Sequence, residues 1–202
     1  MPDVKEVLHE RQAFLVNPPP SLGTILEGEF RKDFFVGVST IVLKLFHCVN
    51  PKVAVFGKKD YQQALIIRSM CNQFNLPVKI VLAETVREID GLAMSSRNNR
   101  LSPTERTESC FLYQKLKELS AQILELNRQK KLNSTKISQL EDAAFQEFKL
   151  KKWQPDYFSV RRKIDLDIPS FEYGEGKLNE LIILAAASLG KNRLIDNLEI
   201  KS

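Results

Sequence analysis

Histidine is almost missing: His9 and His47 are the only two among 202 residues. A mechanism built on a histidine base, or a histidine-rich metal centre, has little material to work with. Cysteine is nearly as scarce. Cys48, Cys71 and Cys110 are odd in number and show no C-x-x-C spacing, so they read as reduced, mostly buried thiols of a cytoplasmic protein rather than a disulfide framework or a zinc ribbon. Long apolar runs are lacking too. The longest uncharged one, Leu181 to Gly190, is far shorter than the ~20 residues a membrane-spanning helix needs. The first ten residues alternate charge and hydrophobicity, unlike a secretory signal. No membrane partner is expected.

What is present is the balance of an ordinary globular chain, with 43% apolar and 27% charged residues. Its length suits one large or two modest domains, with enough buried surface to fold without disulfide or metal staples. Thirty basic residues against 25 acidic ones leave a net charge of +5, which favours anionic partners such as phosphates, carboxylates or nucleic acid. The basic clusters Lys149, Lys151, Lys152 and Arg161, Arg162, Lys163 lack interleaved aromatics and read as solvated faces, so nucleic acid is not expected as a partner.

Apolar residues recur at helical spacing from Phe35 to Val49, and Asn50-Pro51 ends that helix. Lys52 to Phe56 is a β-branched run closed by Gly57, which predicts a buried strand and a turn. Asp60 is placed to cap a helix reaching about Asn75, and Val78 to Leu82 reads as a second strand. Strand, helix and strand form a βαβ unit of a parallel sheet, which one such unit cannot cover on both faces. Beyond a boundary near residue 84 the pattern becomes α+β. Ser102-Pro-Thr-Glu105 is a capping box, and Leu112, Leu116, Leu119, Ile123 and Leu126 mark a long amphipathic helix. Another helix covers Ile137 to Lys151, Asp156 to Arg161 alternates like a strand, and Leu181 to Ile200 folds back about Gly190-Lys191 as a hairpin.

Three segments could carry chemistry. Phe56-Gly-Lys-Lys-Asp-Tyr-Gln-Gln63 lies where a parallel strand gives way to a helix, the crevice in which open α/β sheets bind ligands. Gly57 admits a close ligand, Lys58 and Lys59 supply charge, and the helix N-terminus favours an anion; Asp60 suits either a magnesium ion or a cap. A plain solvated turn explains the same residues. Met94-Ser-Ser-Arg-Asn98 offers two hydroxyls and a guanidinium to polyphosphate oxygens, or is a polar surface loop. Arg31, after Leu26-Glu-Gly-Glu-Phe, either grips a carboxylate or phosphate or forms a surface ion pair.

Together these segments resemble the pantothenate synthetases, the pantoate–β-alanine ligases. The resemblance runs from about Leu26 to Ile200, through Leu26-Glu-Gly28, Val53 to Gln63, Thr85-Val-Arg-Glu-Ile-Asp-Gly91, Ser95-Ser-Arg-Asn98, Leu101-Ser-Pro103 and Arg193 to Leu198. It implies the C-terminal part of a Rossmann-like nucleotide-binding domain over residues 1–84, followed by a smaller α+β lid domain over residues 85–202. It also implies a cytoplasmic homodimer that condenses pantoate with β-alanine through a pantoyl adenylate, with ATP as substrate and Mg2+. On that resemblance Gly57, Lys58, Lys59, Asp60, Val86, Met94, Ser95, Ser96 and Arg97 contact ATP. Lys59 and Arg97 stabilise charge, Asp60 lies near Mg2+, and Gln63 with Arg31 holds pantoate. Two departures stand out. Arg31 is followed by Lys32-Asp33-Phe34-Phe35 where the family has Pro-Gly-His-Phe, and the family's His-x-Gly-His motif and an upstream pantoate-binding glutamine have no counterpart in these 202 residues. His47 reads as a packed helix residue. The chain thus looks like the final two-thirds of a family member, with impaired ligase activity on its own. The alternative is an incompetent fragment that retains only phosphate binding or dimerisation.

Overall fold

The computed structural model describes Glu10, residues 12–171 and residues 178–201; His9 lies outside them. Two compact units divide the chain, Met1–Ala83 and Glu84–Ser202.

In the first unit, helix α1 (Phe34–Val49) ends on Asn50, which takes a left-handed conformation and returns its N–H to the Phe46 carbonyl. Strand β1 (Val53–Gly57) pairs in parallel with β2 (Lys79–Ala83), Val53 opposite Lys79 and Gly57 opposite Ala83. Helix α2 (Tyr61–Gln73) is the crossover between them. Its Ile67, Met70 and Cys71 form a core that receives Val38, Val42 and Phe46 of α1 and Phe56 and Ile80 of the strands. Burial pushes the Cys71 thiol above its usual range.

Two expectations are corrected here, and a third, the buried strand, holds for one face only. The sheet is covered on one face, as a single βαβ unit requires. Alternate residues point outward, and Val53, Val55 and Val81 are exposed, because the two-stranded sheet has α2 on one side and no described element on the other. His47 is exposed, with Nδ1 at 2.9 Å from the Leu43 carbonyl, so it is not packed. Cys48, the penultimate residue of the helix, is exposed as well. All three lie on surfaces whose apolar spacing is that of a covered face.

In the second unit, α3 (Pro103–Ser109) starts at a complete capping box: Ser102 Oγ accepts from the Glu105 N–H while Glu105 accepts from the Ser102 N–H. Helices α4 (Phe111–Arg128) and α5 (Ser134–Leu150) follow. Strands β3 (Gln154–Arg162), β4 (Leu181–Leu189) and β5 (Asn192–Glu199) form an antiparallel sheet in the order β3-β4-β5. Central β4 is buried almost throughout, while Pro155 sits on edge strand β3 beside a bulge. The core joins Leu112, Leu116, Leu119 and Ile123 of α4 to Ile183, Ala185 and Ala187 of β4. Phe148 of α5 is fully buried at its centre, with ring centroids 4.8 Å from Phe111, 5.0 Å from Trp153 and 4.7 Å from Phe158. Removing that ring leaves a cavity the surrounding rings cannot fill. Phe148→Ala should therefore lower stability by about 3–5 kcal/mol, read as a lower urea midpoint; an unchanged midpoint would show that this ring cluster is not the core.

Candidate functional site

Gly57 ends β1, and residues Lys58–Asp60 make one 3-10 turn before α2 begins. A Cβ at Gly57 would meet nothing within 4 Å, so neither backbone geometry nor packing inside the protein requires a glycine there. The space above it is open. Lys58 and Lys59 are half-buried, and Asp60 is exposed. Asp60 holds the N-cap position of α2 but makes no side-chain cap bond, which corrects the expected capping role and leaves its carboxylate facing solvent.

Gln63, in the first turn of α2, lines a cavity of 690 Å³ together with Arg31, Lys32, Phe34, Val38 and Val42. The two residues that the family resemblance assigns to pantoate thus share one concavity. The Arg31 guanidinium carbon lies 3.3 Å from the centroid of the Phe34 ring, and its Nη1 lies 3.6 Å from Glu27 Oε2. Phe34 therefore supports Arg31 through its ring face, and it brings no hydrogen-bond donor to the cavity wall.

Gln62, the buried neighbour of Gln63, was not singled out by its sequence. Its Nε2 donates to the carbonyls of Leu22 (2.7 Å) and Ile25 (2.8 Å), and its Oε1 accepts from the Glu27 N–H (3.2 Å). These bonds hold the Leu26-Glu-Gly28 segment against α2. Gly28 packs so tightly there that a Cβ would fall on the Gly23 carbonyl.

The remaining candidate residues lie in the second unit. Residues 86–94 form a small hairpin: the Met94 N–H donates to the Val86 carbonyl (2.9 Å), the Glu88 N–H donates to Leu92 (2.8 Å), and Arg87 bridges Ala93. Gly91 turns it at φ +93, where the Tyr113 ring leaves no room for a side chain. Beyond the hairpin, Ser95 Oγ accepts from the Arg97 N–H (3.3 Å) and starts the 3-10 turn Ser96–Arg100. Val86, Met94, Ser96 and Arg97 are exposed. The structure thus brings Val86 and Met94 together and places Ser95, Ser96 and Arg97 directly after them. Arg87 and Asp196, both inside recognised motifs but unassigned by them, hold this hairpin to β5. An arginine and an aspartate 109 positions apart give no local signal of such a pair.

Residues 1–199 match the family described as Pantoate-beta-alanine ligase. Among solved structures, pantothenate synthetase from Thermus thermophilus is similar with a TM-score of 0.85 and 33% identity, over 100% of this chain and 68% of that one. A second structure of pantothenate synthetase from the same organism gives the same values. Pantoate-beta-alanine ligase from Francisella tularensis, complexed with beta-gamma ATP and beta-alanine, gives a TM-score of 0.65 and 25% identity over 98% of this chain and 62% of its own.

The hairpin's stability also carries a pH signature. Arg106 Nη1 donates to Asp90 Oδ2 at 2.5 Å, and that bond, helped by the Leu92 N–H, holds the Asp90 carboxyl below its ordinary 3.8. A carboxyl with a lowered folded value contributes its stability above the unfolded value and loses it as pH falls through the folded one. In urea titrations the wild-type chain should exceed Asp90→Asn by a constant margin near neutrality, and the margin should shrink below about pH 3.8. A margin independent of pH would show that the pair contributes nothing as an ion pair.

Proposed function

Since the chain belongs to the pantoate–β-alanine ligase family, we propose that its site is built for the ATP-dependent condensation of pantoate with β-alanine through a pantoyl adenylate. The observation that carries this reading is the family match over residues 1–199. It is supported by the single cavity that holds Arg31 and Gln63.

In the first step a pantoate carboxylate oxygen attacks the α-phosphorus of ATP, and the bond to the bridging oxygen breaks, releasing pyrophosphate. In the second, the uncharged amine of β-alanine attacks the acyl carbon, AMP leaves, and the amine proton passes to solvent. Neither step demands a covalent protein nucleophile. What the chain supplies is placement and charge. Arg31 faces the pantoate carboxylate with its fork, and the Gln63 carboxamide reaches a pantoate hydroxyl or carbonyl. Lys58 and Lys59 neutralise the phosphates beside the open space above Gly57, near the N-terminal end of α2. On the family resemblance the Val86 backbone contacts the adenine edge, and Met94, Ser95, Ser96 and Arg97 contact phosphate oxygens. The exposed Asp60 carboxylate, with no helix amide to cap, suits one protein ligand of an Mg2+ ion shared with phosphate oxygens. That ion would supply further neutralisation of the triphosphate.

The same reading makes the enzyme a cytoplasmic homodimer, as the family resemblance implies, and a weak catalyst when assayed alone. Phe34 offers no donor where the family resemblance places histidine, and these 202 residues hold no His-x-Gly-His motif. An incompetent form that keeps only phosphate binding or dimerisation is the second reading, favoured by the exposed Val53, Val55 and Val81 on the sheet.

Two measurements test these statements. The purified chain, given ATP, pantoate, β-alanine and Mg2+, should form AMP and pantothenate in equal amounts, roughly a hundredfold or more below a full-length ligase run in parallel. A rate equal to that ligase would overturn the impairment, and no detectable product would leave the second reading standing. Gln63→Ala should weaken pantoate binding by about tenfold in calorimetry, the loss of one or two hydrogen bonds; unchanged binding would remove Gln63 from the pantoate site.

A further inference from the structure

The Arg87 guanidinium uses nearly its whole hydrogen-bonding fork inside the second unit. Nη1 donates to Asp196 Oδ2 at 2.6 Å and to the Gly91 carbonyl at 3.0 Å. Nη2 donates to Asp196 Oδ1 at 2.9 Å and to the Asn197 carbonyl at 3.3 Å. Its carbon lies 3.7 Å from the centroid of the Tyr113 ring. Asp196 is only 4% exposed, and its Oδ1 also accepts from the Asn197 N–H at 2.8 Å. Charged pairs this deeply buried are poor sources of net stability compared with apolar packing. What a bidentate fork adds is a fixed geometry.

That geometry is imposed on the hairpin whose two arms carry different parts of the proposed nucleotide site. Val86 directly precedes Arg87, and Met94 follows Ala93, the residue Arg87 bridges. We propose that Arg87 is a positioning residue for the nucleotide: the Met94 N–H bond to the Val86 carbonyl sets the spacing of the two arms, and Arg87, clamped by Asp196 and resting on Tyr113, holds both arms in one orientation on β5, so that base and phosphates of one ATP are engaged together. The proposal rests on the function proposed above. Its physical basis is that a second contact made from the same rigid element is intramolecular and avoids a separate ordering cost. Arg87 itself touches neither base nor phosphate in this assignment.

The test compares ATP with inorganic tripolyphosphate, each titrated calorimetrically into the full chain in magnesium buffer. Tripolyphosphate engages the phosphate half alone. Arg87→Lys keeps the charge but loses the fork. It should weaken ATP binding about tenfold and leave tripolyphosphate binding within twofold of wild type. The double variant Arg87→Lys/Asp196→Asn should be no weaker for ATP than Arg87→Lys alone, since both remove one clamp. If Arg87→Lys does not fold, Tyr113→Leu is read in its place, because it withdraws the platform and keeps the ion pair. Equal losses for both ligands would overturn the proposal by showing a general structural or charge effect, and unchanged ATP affinity would overturn it outright. Wild-type chain that binds no ATP would overturn the proposed function and this inference together, whereas wild-type binding with an indifferent variant overturns this inference alone.

Discussion

A single buried carboxamide organises the side of the first unit on which the Arg31–Gln63 cavity lies. Gln62 satisfies three backbone groups between Leu22 and Glu27, a stretch that contains no regular element long enough to satisfy them itself. Leu26 is buried there at a positive φ of 49, a conformation that surrounding structure must hold. Once the stretch is pinned to α2, Arg31 stands a few residues downstream beside Phe34 and on the wall that Gln63 also lines. Neighbouring glutamines thus divide two tasks. One faces inward and builds the wall, and the other faces the cavity.

The second unit solves a similar problem with charge. Its hairpin is too short to persist by its own backbone bonds. It is secured at one side by Arg87 on Asp196 and Tyr113, and at its turn by Arg106 on Asp90. The exposed groups that follow, Ser96 and Arg97, are left unburied by this scaffold. Division of labour between rigid support and exposed residues suits the proposed reaction, in which placement and charge neutralisation lower the barrier.

The replacement of the family's histidine by Phe34 changes the character of the cavity wall. A ring face holds Arg31 by cation–π attraction. It does not replace the lost donor. The wall therefore carries the Arg31 charge beside a ring without a donor, and the proposed weakness is assigned to that ring.

Local patterns in the sequence determined much of this protein. Helical spacing defined α1, α4 and α5, the capping box fixed the start of α3, and the Gly190-Lys191 turn announced the β4–β5 hairpin. Each depends on residues a few positions apart, so the chain itself carries the signal. The motif residues around Gly57 and Ser95 were recognisable for the same reason. That one βαβ unit leaves a sheet face uncovered was legible, but which residues of β1 and β2 face outward was not, because a β-branched run looks alike whether one face or both are covered. The exposed seats of His47 and Cys48 were hidden likewise, since helical spacing does not say which neighbour covers a face. Only the tertiary structure decided that Arg31 and Gln63 share a cavity, that Gln62 supports it, and that Arg87 meets Asp196 from the far end of the chain. Those pairings join residues separated by tens of positions, and their energies depend on distance in space, which no local window of sequence contains.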